Sequence, residues 1–509
     1  MNKAKLSQST VVLMAVIFSS KLIGIFRDIV LANCFGTTNI SDAYLIASTV
    51  PTLLFYFIGH SLSTSFIPVY NKVRIQSGEK EGLQFANNLL NAALILSMLI
   101  VVVLLVFTRP VVKVFAAGFD HDTTEIAVRL IRISCCSVFF MTTVNICSGY
   151  LQANRSFLIP AAISVPRNFV LILSVVIGAR MGIVWLGIGL LLSYVVEFLF
   201  LLPAMLRKGY IYRPYLNCRD ENLEQTVHLV TPILIGMCVS QVNKIIDRSM
   251  ASTIIEGGIS ALSYASVINN SVQEIMVTGI ITILFTNCSE LVAKKQIPQL
   301  KKKVSNVLKA ILFFTIPASV GVVVLAEPIV KLFLCRGVFD ERSIEMTASC
   351  LRCYTMGLTF LAIRETLVKV FYTFQDTKRT TTVSIISICL NICLNFLLGR
   401  TIGIQGLAAA TTISAAFGCT LLFVFLRKKI GDFGVADICR TMAVSLIGSL
   451  LMGMAVRAAW TYSLNRFTEF FSLVLCILAG AVVYFALQLL VCFLSAVFAG
   501  KYKKQKAQI

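Results

Sequence analysis

The sequence predicts an all-α polytopic membrane protein. Fourteen transmembrane helices are expected, as two parallel six-helix lobes around a central cavity plus two additional C-terminal helices. Three observations carry this. Hydrophobic residues make up 57% of the 509 and charged residues only 14%, with a mean hydropathy of +0.85, whereas soluble domains carry about 25% charged residues. Mostly apolar runs, of the roughly 20 residues that a span needs, recur along the whole chain. Lys and Arg, finally, collect in alternate connections between those runs.

Taken in order, the runs and their connections alternate in charge. Lys3 and Lys5 precede the first run, 9–34, and no small-residue cleavage site follows, which argues against a secretory signal peptide. Runs 41–70 and 84–108 are joined by Lys72, Arg74 and Lys80, whereas 84–108 and 124–152 are joined by only Arg109 and Lys113. Arg155 precedes 158–180; Arg180 precedes 183–206; Arg207, Lys208, Arg213 and Arg219 precede 224–252. No cation separates 224–252 from 258–293, but Lys294, Lys295, Lys301, Lys302 and Lys303 precede 305–334. Arg336 and Arg342 lead to 343–374, Lys378 and Arg379 to 380–400, Arg400 to 404–427, and Arg427, Lys428 and Lys429 to 437–459. Arg466 precedes the last run, 468–499, and Lys501, Lys503, Lys504 and Lys506 close the chain. The heavily basic set marks the cytoplasmic side, so both termini are expected there.

This distribution makes the net charge of +21 a topological feature and argues against nucleic-acid binding. Sixteen cysteines are scattered through apolar runs, the single Cys-x-x-Cys (350–353) has no partner pair, and only three histidines are present, so a zinc site is not expected. There is no Walker-type loop, no His-Glu-x-x-His and no nucleophile elbow. The reading is a transporter and not an enzyme, driven by an ion gradient or by the membrane potential, worth about 2.3 kcal/mol per charge per 100 mV.

An internal repeat supports the two lobes. "RDIVLANCFGTTNIS" (27–41) and "IDRSMASTIIEGGIS" (246–260) align at an offset of 219, matching Asp28 to Asp247. "LQANR" (151–155) resembles "FQDTK" (374–378), and "MGIVWLGIG" (181–189) resembles "IGIQGLAAA" (402–410). The repeat places one lobe at 1–215, a second at 216–430, and an unmatched helix pair with a basic tail at 431–509. Parallel repeats of this kind characterise alternating-access carriers. The connection 207–225 reads as a basic, amphipathic interfacial segment.

Charges inside the runs need a reason, since each costs about 2.5–3.5 kcal/mol at the bilayer centre unless it meets a partner or a cavity. Lys21 and Asp28 share one face of the first helix, Arg27 flanks it, and Asp42 opens the second. Further charges recur at Arg129, Arg132, Arg167, Lys244, Asp247, Arg248, Glu274, Arg352, Arg364, Glu365 and Lys369. Cations with carboxylates beside them suit a site that grips a polyanion and releases it; an internal salt-bridge network that only fixes packing is the alternative. Arg offers a bidentate fork to phosphate, Lys a point charge.

"SKLIGIFRDIVLANCFGTTNISDAYLIASTVPTLL", "SFIPVY", "FQDTKRTTTVSIISICLNICLNFLLG" and "GIQGLAAATT" resemble the MurJ/MviN family of lipid II flippases, within the multidrug/oligosaccharidyl-lipid/polysaccharide exporter superfamily. The resemblance covers nearly the whole chain. It implies a cationic cavity and movement of an undecaprenyl-pyrophosphate glycan from the inner to the outer leaflet of the bacterial plasma membrane, alongside cell-wall synthesis proteins. It implies that Lys21, Arg27, Asp28 and Asp42 serve substrate binding, with Lys21 where many members carry arginine. It also implies a sodium site at Asp247, Asn391, Asn395 and Thr411, whose hard oxygen donors suit such an ion. Two family positions differ: Val267 stands where an arginine is common, and "IGHSLS" (58–63) replaces an acidic residue. Arg248 or Arg364 are the candidates to compensate. Rival readings are a flippase for another polyprenyl-pyrophosphate glycan, a cation-coupled drug exporter, and a non-transporting membrane scaffold.

Overall fold

The computed structural model describes residues 3–217, 219–463 and 468–506, with side chains outside 3–11, 56–64, 229–240, 278–280, 282–283, 286–287, 492 and 494–506. The family difference at 58–63 therefore lies outside the described side chains. Among the described residues helix is the only regular secondary structure, and every one of the fourteen apolar runs is occupied by helix. In order these are α1 (Lys3–Phe35), α2 (Asn39–Ser77), α3 (Glu79–Val106), α4 (Thr108–Phe115), α5 (His121–Ser134), α6 (Ser137–Ala153), α7 (Leu158–Ala162), α8 (Ser164–Met181), α9 (Val184–Arg207) and α10 (Glu221–Ile254). They are followed by α11 (Gly258–Ala293), α12 (Ile297–Val324), α13 (Ala326–Leu334), α14 (Glu341–Met356), α15 (Leu358–Thr373), α16 (Thr377–Ile402), α17 (Ile404–Ile430), α18 (Val435–Ser463) and α19 (Glu469–Lys506).

Eight helical segments of the described residues are long and apolar enough to cross a membrane, and ten if each of two bent pairs forms one span. The bent pairs are α5–α6, at 47°, and α14–α15, at 44°. Their positions show the repeat in the backbone itself. The pairs begin 15 and 17 residues after the end of a long apolar helix (α3, α12) that is followed by a short amphipathic one (α4, α13). The turn after each pair is alike too: Arg155 (φ 58°) and Gln375 (φ 57°) both take the left-handed conformation. Ser156 N–H returns to Leu151 O as Asp376 N–H returns to Phe371 O. This sets Arg155 opposite Gln375, not opposite Lys378. The pairing of "LQANR" with "FQDTK" is out of register by three residues, because it followed residue likeness where the turn geometry decides.

Two compact units emerge, 1–260 with 336–340, and 261–335 with 341–509. In the first, α2, α3, α6 and α9 close around a core centred on Phe66, Tyr70, Phe85 and Tyr150. Helix α10 packs on α2 and belongs to this unit, whereas the sequence repeat starts the second lobe before it. The connection 210–217 is not helical. It runs extended along α3, held by Asn87 Nδ2 to Ile211 O (2.9 Å), Asn91 Nδ2 to Tyr215 O (2.9 Å) and Asn88 Nδ2 to Asn217 O (3.0 Å). Asparagine amides satisfy backbone carbonyls there that a helix would have satisfied internally. In the second unit one core gathers α11, α12, α15 and α17 around Phe371 and Leu312, and the terminal pair α18–α19 adds a smaller one against α12 through Met452 and Tyr484.

Candidate functional site

The first unit contains a cavity of about 400 Å³ whose walls come from five helices. α1 supplies Arg27 and Asp28, and α8 supplies Arg167. α10 supplies Gln241, Lys244 and Arg248, and α2 supplies the hydroxyls of Ser48, Thr49 and Thr52. On α10 the three polar residues stand at i, i+3 and i+7, which places them on one helical face. Four cations meet one carboxylate on these walls, a formal surplus of three positive charges.

Arg27 is held firmly. Its Nε and Nη2 donate to Asp28 Oδ1 at 3.0 and 2.7 Å, and its Nη1 donates to Asn168 Oδ1 at 3.2 Å. A guanidinium has five N–H donors, so this anchoring leaves two for a ligand. Arg248 Nη1 donates to Leu45 O at 3.1 Å and to the Thr49 hydroxyl. The hydroxyls of Ser48, Thr49 and Thr52 also donate to carbonyls of their own helix one turn back, at 2.6–2.9 Å. Gln241 is 6% exposed and its Oε1 has no hydrogen-bond partner among the described residues.

A second chamber of about 520 Å³ adjoins, sharing Thr52 and Arg167 with the first. Its lining is uncharged apart from Arg167 and Glu197, with Asn145, Ser148, Gln152 and Ser164 set among apolar side chains such as Phe55, Met141 and Phe157. Arg167 stands at the boundary. Its Nη2 donates to Tyr194 OH at 2.7 Å, its guanidinium lies 4.3 Å from the Tyr194 ring centroid, and Nη1 is 3.7 Å from Glu197 Oε1. Leu13 and Ile17 of α1 line this chamber as Asp28 lines the other.

The residues expected at the substrate are therefore only partly united. Arg27 and Asp28 line the cationic cavity. Lys21 is exposed and lines neither chamber, although its spacing from Ile17 and Asp28 keeps it on the α1 face common to both. Asp42 is not a cavity residue. It is 1% exposed, and its Oδ1 accepts from both the Ser260 N–H and the Ser260 hydroxyl at 2.7 Å. It anchors the tight turn before Ser260, where Gly257 (φ +79°) has no room for a side chain against the Thr37 carbonyl. Arg364 belongs to the second unit, on α15, and donates to Ser384 Oγ at 3.3 Å.

The expected cation ligands divide between the units. In the second, Asn395 Nδ2 donates to Asn391 Oδ1 at 3.2 Å, and Asn391 Nδ2 reaches Thr411 Oγ1 at 3.5 Å, with Asn391 and Asn395 buried. These three hard donors do come together across α16 and α17. In the first unit Asp247 accepts from Asn243 at 3.2 Å. No group of three or more His, Cys, Asp or Glu side chains able to hold a metal occurs among the described residues.

Arg167, Lys244 and Gln241 were left out of the expected site, and Arg248 stood there only as a candidate to compensate for Val267. The spacing along α10 was a usable signal, but nothing in a linear sequence brings α10 and α8 to the same cavity as α1.

With the geometry in hand, comparison decides the family. The family model described as lipid II flippase MurJ matches residues 31–479. The chain belongs to the MurJ family. Relatives share about a quarter of their residues with it over nearly their full length. A probable lipid II flippase MurJ of Bdellovibrio bacteriovorus is 26% identical over 505 residues, covering 96% of this chain and 95% of the relative. The Vibrio cholerae counterpart is 27% identical over 480 residues, with 90% of each covered. Among solved structures, lipid II flippase MurJ in an inward closed conformation superposes with a TM-score of 0.81, at 26% identity, over 94% of this chain and 98% of that one. An inward-facing multidrug MATE transporter shares the fold, with a TM-score of 0.69 at 17% identity over 83% of this chain and 98% of that one. The chain is thus a multi-pass membrane protein of the MurJ family.

Proposed function

We propose that this protein is a flippase that moves an undecaprenyl-pyrophosphate-linked peptidoglycan precursor, lipid II, from the inner to the outer leaflet by alternating access. The observation that carries the reading is the cavity where Arg27, Arg167, Lys244 and Arg248 face one carboxylate. A site with that surplus attracts a diphosphate, and Arg forks supply directional bonds to its oxygens. Arg248 takes the part of the arginine that Val267 replaces in the family pattern. Arg27 and Asp28 act as a unit: the carboxylate holds the guanidinium in place when no cargo is bound and competes with phosphate for it, which favours release.

In the same reading the chain crosses the membrane fourteen times with both termini in the cytoplasm. Lobes 1–215 and 216–430 are the moving parts, and 431–509 is an addition. Arg364 and Lys21 are secondary contacts to the anionic headgroup. Sodium held by Asp247, Asn391, Asn395 and Thr411, or the membrane potential, supplies the driving force; Asn391, Asn395 and Thr411 present the oxygen donors such an ion takes.

The test is complementation. When the resident lipid II flippase of a bacterial host is depleted, expression of this chain should restore growth. Lysis despite verified membrane expression would point to another polyprenyl-diphosphate glycan, since the cavity reads the diphosphate and not the sugar.

A further inference from the structure

Away from the cationic cavity, at the ends of α5 and α9, lies an open cleft of about 670 Å³ lined by Arg129, Arg132, Glu125 and aliphatic residues including Ile126, Ile133 and Ile183. Arg129 and Arg132 stand one turn apart on the exposed face of α5. Glu125 lies four residues before Arg129, the spacing of a helical ion pair, yet it is taken elsewhere: Arg109 Nη2 is 2.6 Å from its Oε1. Among the described residues neither the Arg129 nor the Arg132 guanidinium has a hydrogen bond or an ion pair. The cleft thus offers two uncommitted guanidinium groups above an aliphatic floor.

Its level in the helix bundle can be read from packing. A Cβ on Gly187 would lie 3.2 Å from Ile133 Cβ, so Ile133 is level with the first turn of α9. At 1.5 Å rise per residue, Arg132 and Arg129 stand about 1.5 and 6 Å nearer the helix end. Arg129 is therefore level with Ile183, where α9 begins, and Arg132 with its first turn. Guanidinium groups at the start of a membrane helix are placed to reach lipid phosphates, with the aliphatic residues beside them at the level of glycerol and the first methylenes.

We propose that this cleft binds the phosphate of an anionic phospholipid, gripped by Arg129 and Arg132. Net anionic lipid is favoured because Arg109 already neutralises Glu125 and leaves a local surplus of two positive charges. The leaflet follows from the orientation proposed above and is the outer one. The site itself needs neither that orientation nor the flippase reading. A partner protein's carboxylate would satisfy the charges but would not use the aliphatic floor.

The test uses the full chain purified in detergent, with retained lipid measured by native mass spectrometry after addition of phosphatidylglycerol or phosphatidylcholine. The wild type should retain phosphatidylglycerol at least about tenfold better than phosphatidylcholine. Arg129→Gln with Arg132→Gln should abolish that preference, Arg129→Lys with Arg132→Lys should keep part of it, and Arg180→Gln, an exposed cation outside the cleft, should leave it unchanged. Circular dichroism and thermal unfolding of each variant confirm that it is folded; if the Gln pair does not fold, the Lys pair and the single Gln variants carry the test through a graded loss. Equal retention of phosphatidylglycerol by wild type and folded Gln variants would overturn the proposal. So would loss of the preference in Arg180→Gln alone, or a co-purifying protein in place of lipid.

Discussion

Arg27 offers the sharpest test of how the cavity works. In the structure it makes two bonds to Asp28 Oδ1 and one to Asn168. Replacing it with alanine removes all three and leaves a carboxylate that is 16% exposed without that partner. Leaving a buried hydrogen-bonding group unsatisfied costs about 1–3 kcal/mol. Here the nearby Arg167, Lys244 and Arg248 keep the cavity positive, so the lower end is expected and the protein should remain folded. The effect on cargo should be larger than the effect on folding. A charge-assisted hydrogen bond contributes about 1.5–3 kcal/mol, so losing one bond to phosphate weakens binding by about 10- to 150-fold. Arg27→Lys should recover part of this, because an ammonium retains the charge but not the fork. The decisive variant is Arg27→Ala with Asp28→Asn. Removing both charges takes away the unpaired carboxylate, so thermal unfolding in detergent should return towards the wild-type midpoint. Flipping in proteoliposomes, and growth of a depleted host, should stay lost. If this double variant transports at the wild-type rate, the Arg27–Asp28 pair is a packing bridge and the substrate-binding argument fails.

The remaining predictions address other parts of the molecule. Cysteine labelling in whole cells should find 71–82, 294–304 and the C-terminus cytoplasmic and 253–257 outside; outside labelling of 294–304 would reverse the orientation and undo the repeat-based topology. Asp247→Ala should remove any sodium dependence of transport while the protein stays folded, and an unchanged dependence would eliminate the sodium site. Asp376, at the N-terminus of α16, accepts from Lys429 Nζ at 2.5 Å, and that bond holds its carboxyl below the usual carboxylate range. A depressed carboxylate stabilises the fold above its unfolded pKa of about 4 and loses that contribution as pH falls through the folded value. Asp376→Asn should therefore lower the unfolding midpoint at pH 7, and the gap from wild type should close as the pH falls through the lowered pKa of the folded state; a gap that persists in acid would assign the effect to the cap and not to the charge.

Much of this protein was legible in its sequence because membrane insertion is a local, one-dimensional problem. Whether a run of 20 residues partitions into lipid depends on its own hydropathy, and orientation depends on the Lys and Arg beside it. The helical runs followed from such terms, and the structure places helix on each run; the repeat was read from aligned residues. Where residue likeness and backbone geometry disagreed, as at Arg155 and Gln375, geometry prevailed, since the left-handed turn requires a position more than an identity. The charges in α1 were equally visible, because a charge in an apolar helix needs a reason wherever it occurs. Which reason applies was not visible. Asp42 looks in sequence like Asp28, yet one ties down Ser260 and the other faces a cavity. Arg167 and Arg129 are both arginines in apolar runs, yet one divides two chambers and the other faces an open cleft. A charge's role depends on which groups share its surroundings, and those groups come from helices more than a hundred residues away. Sequence thus determined the membrane helices and where the cations lie along them; only the tertiary packing decided which cations meet around one cavity.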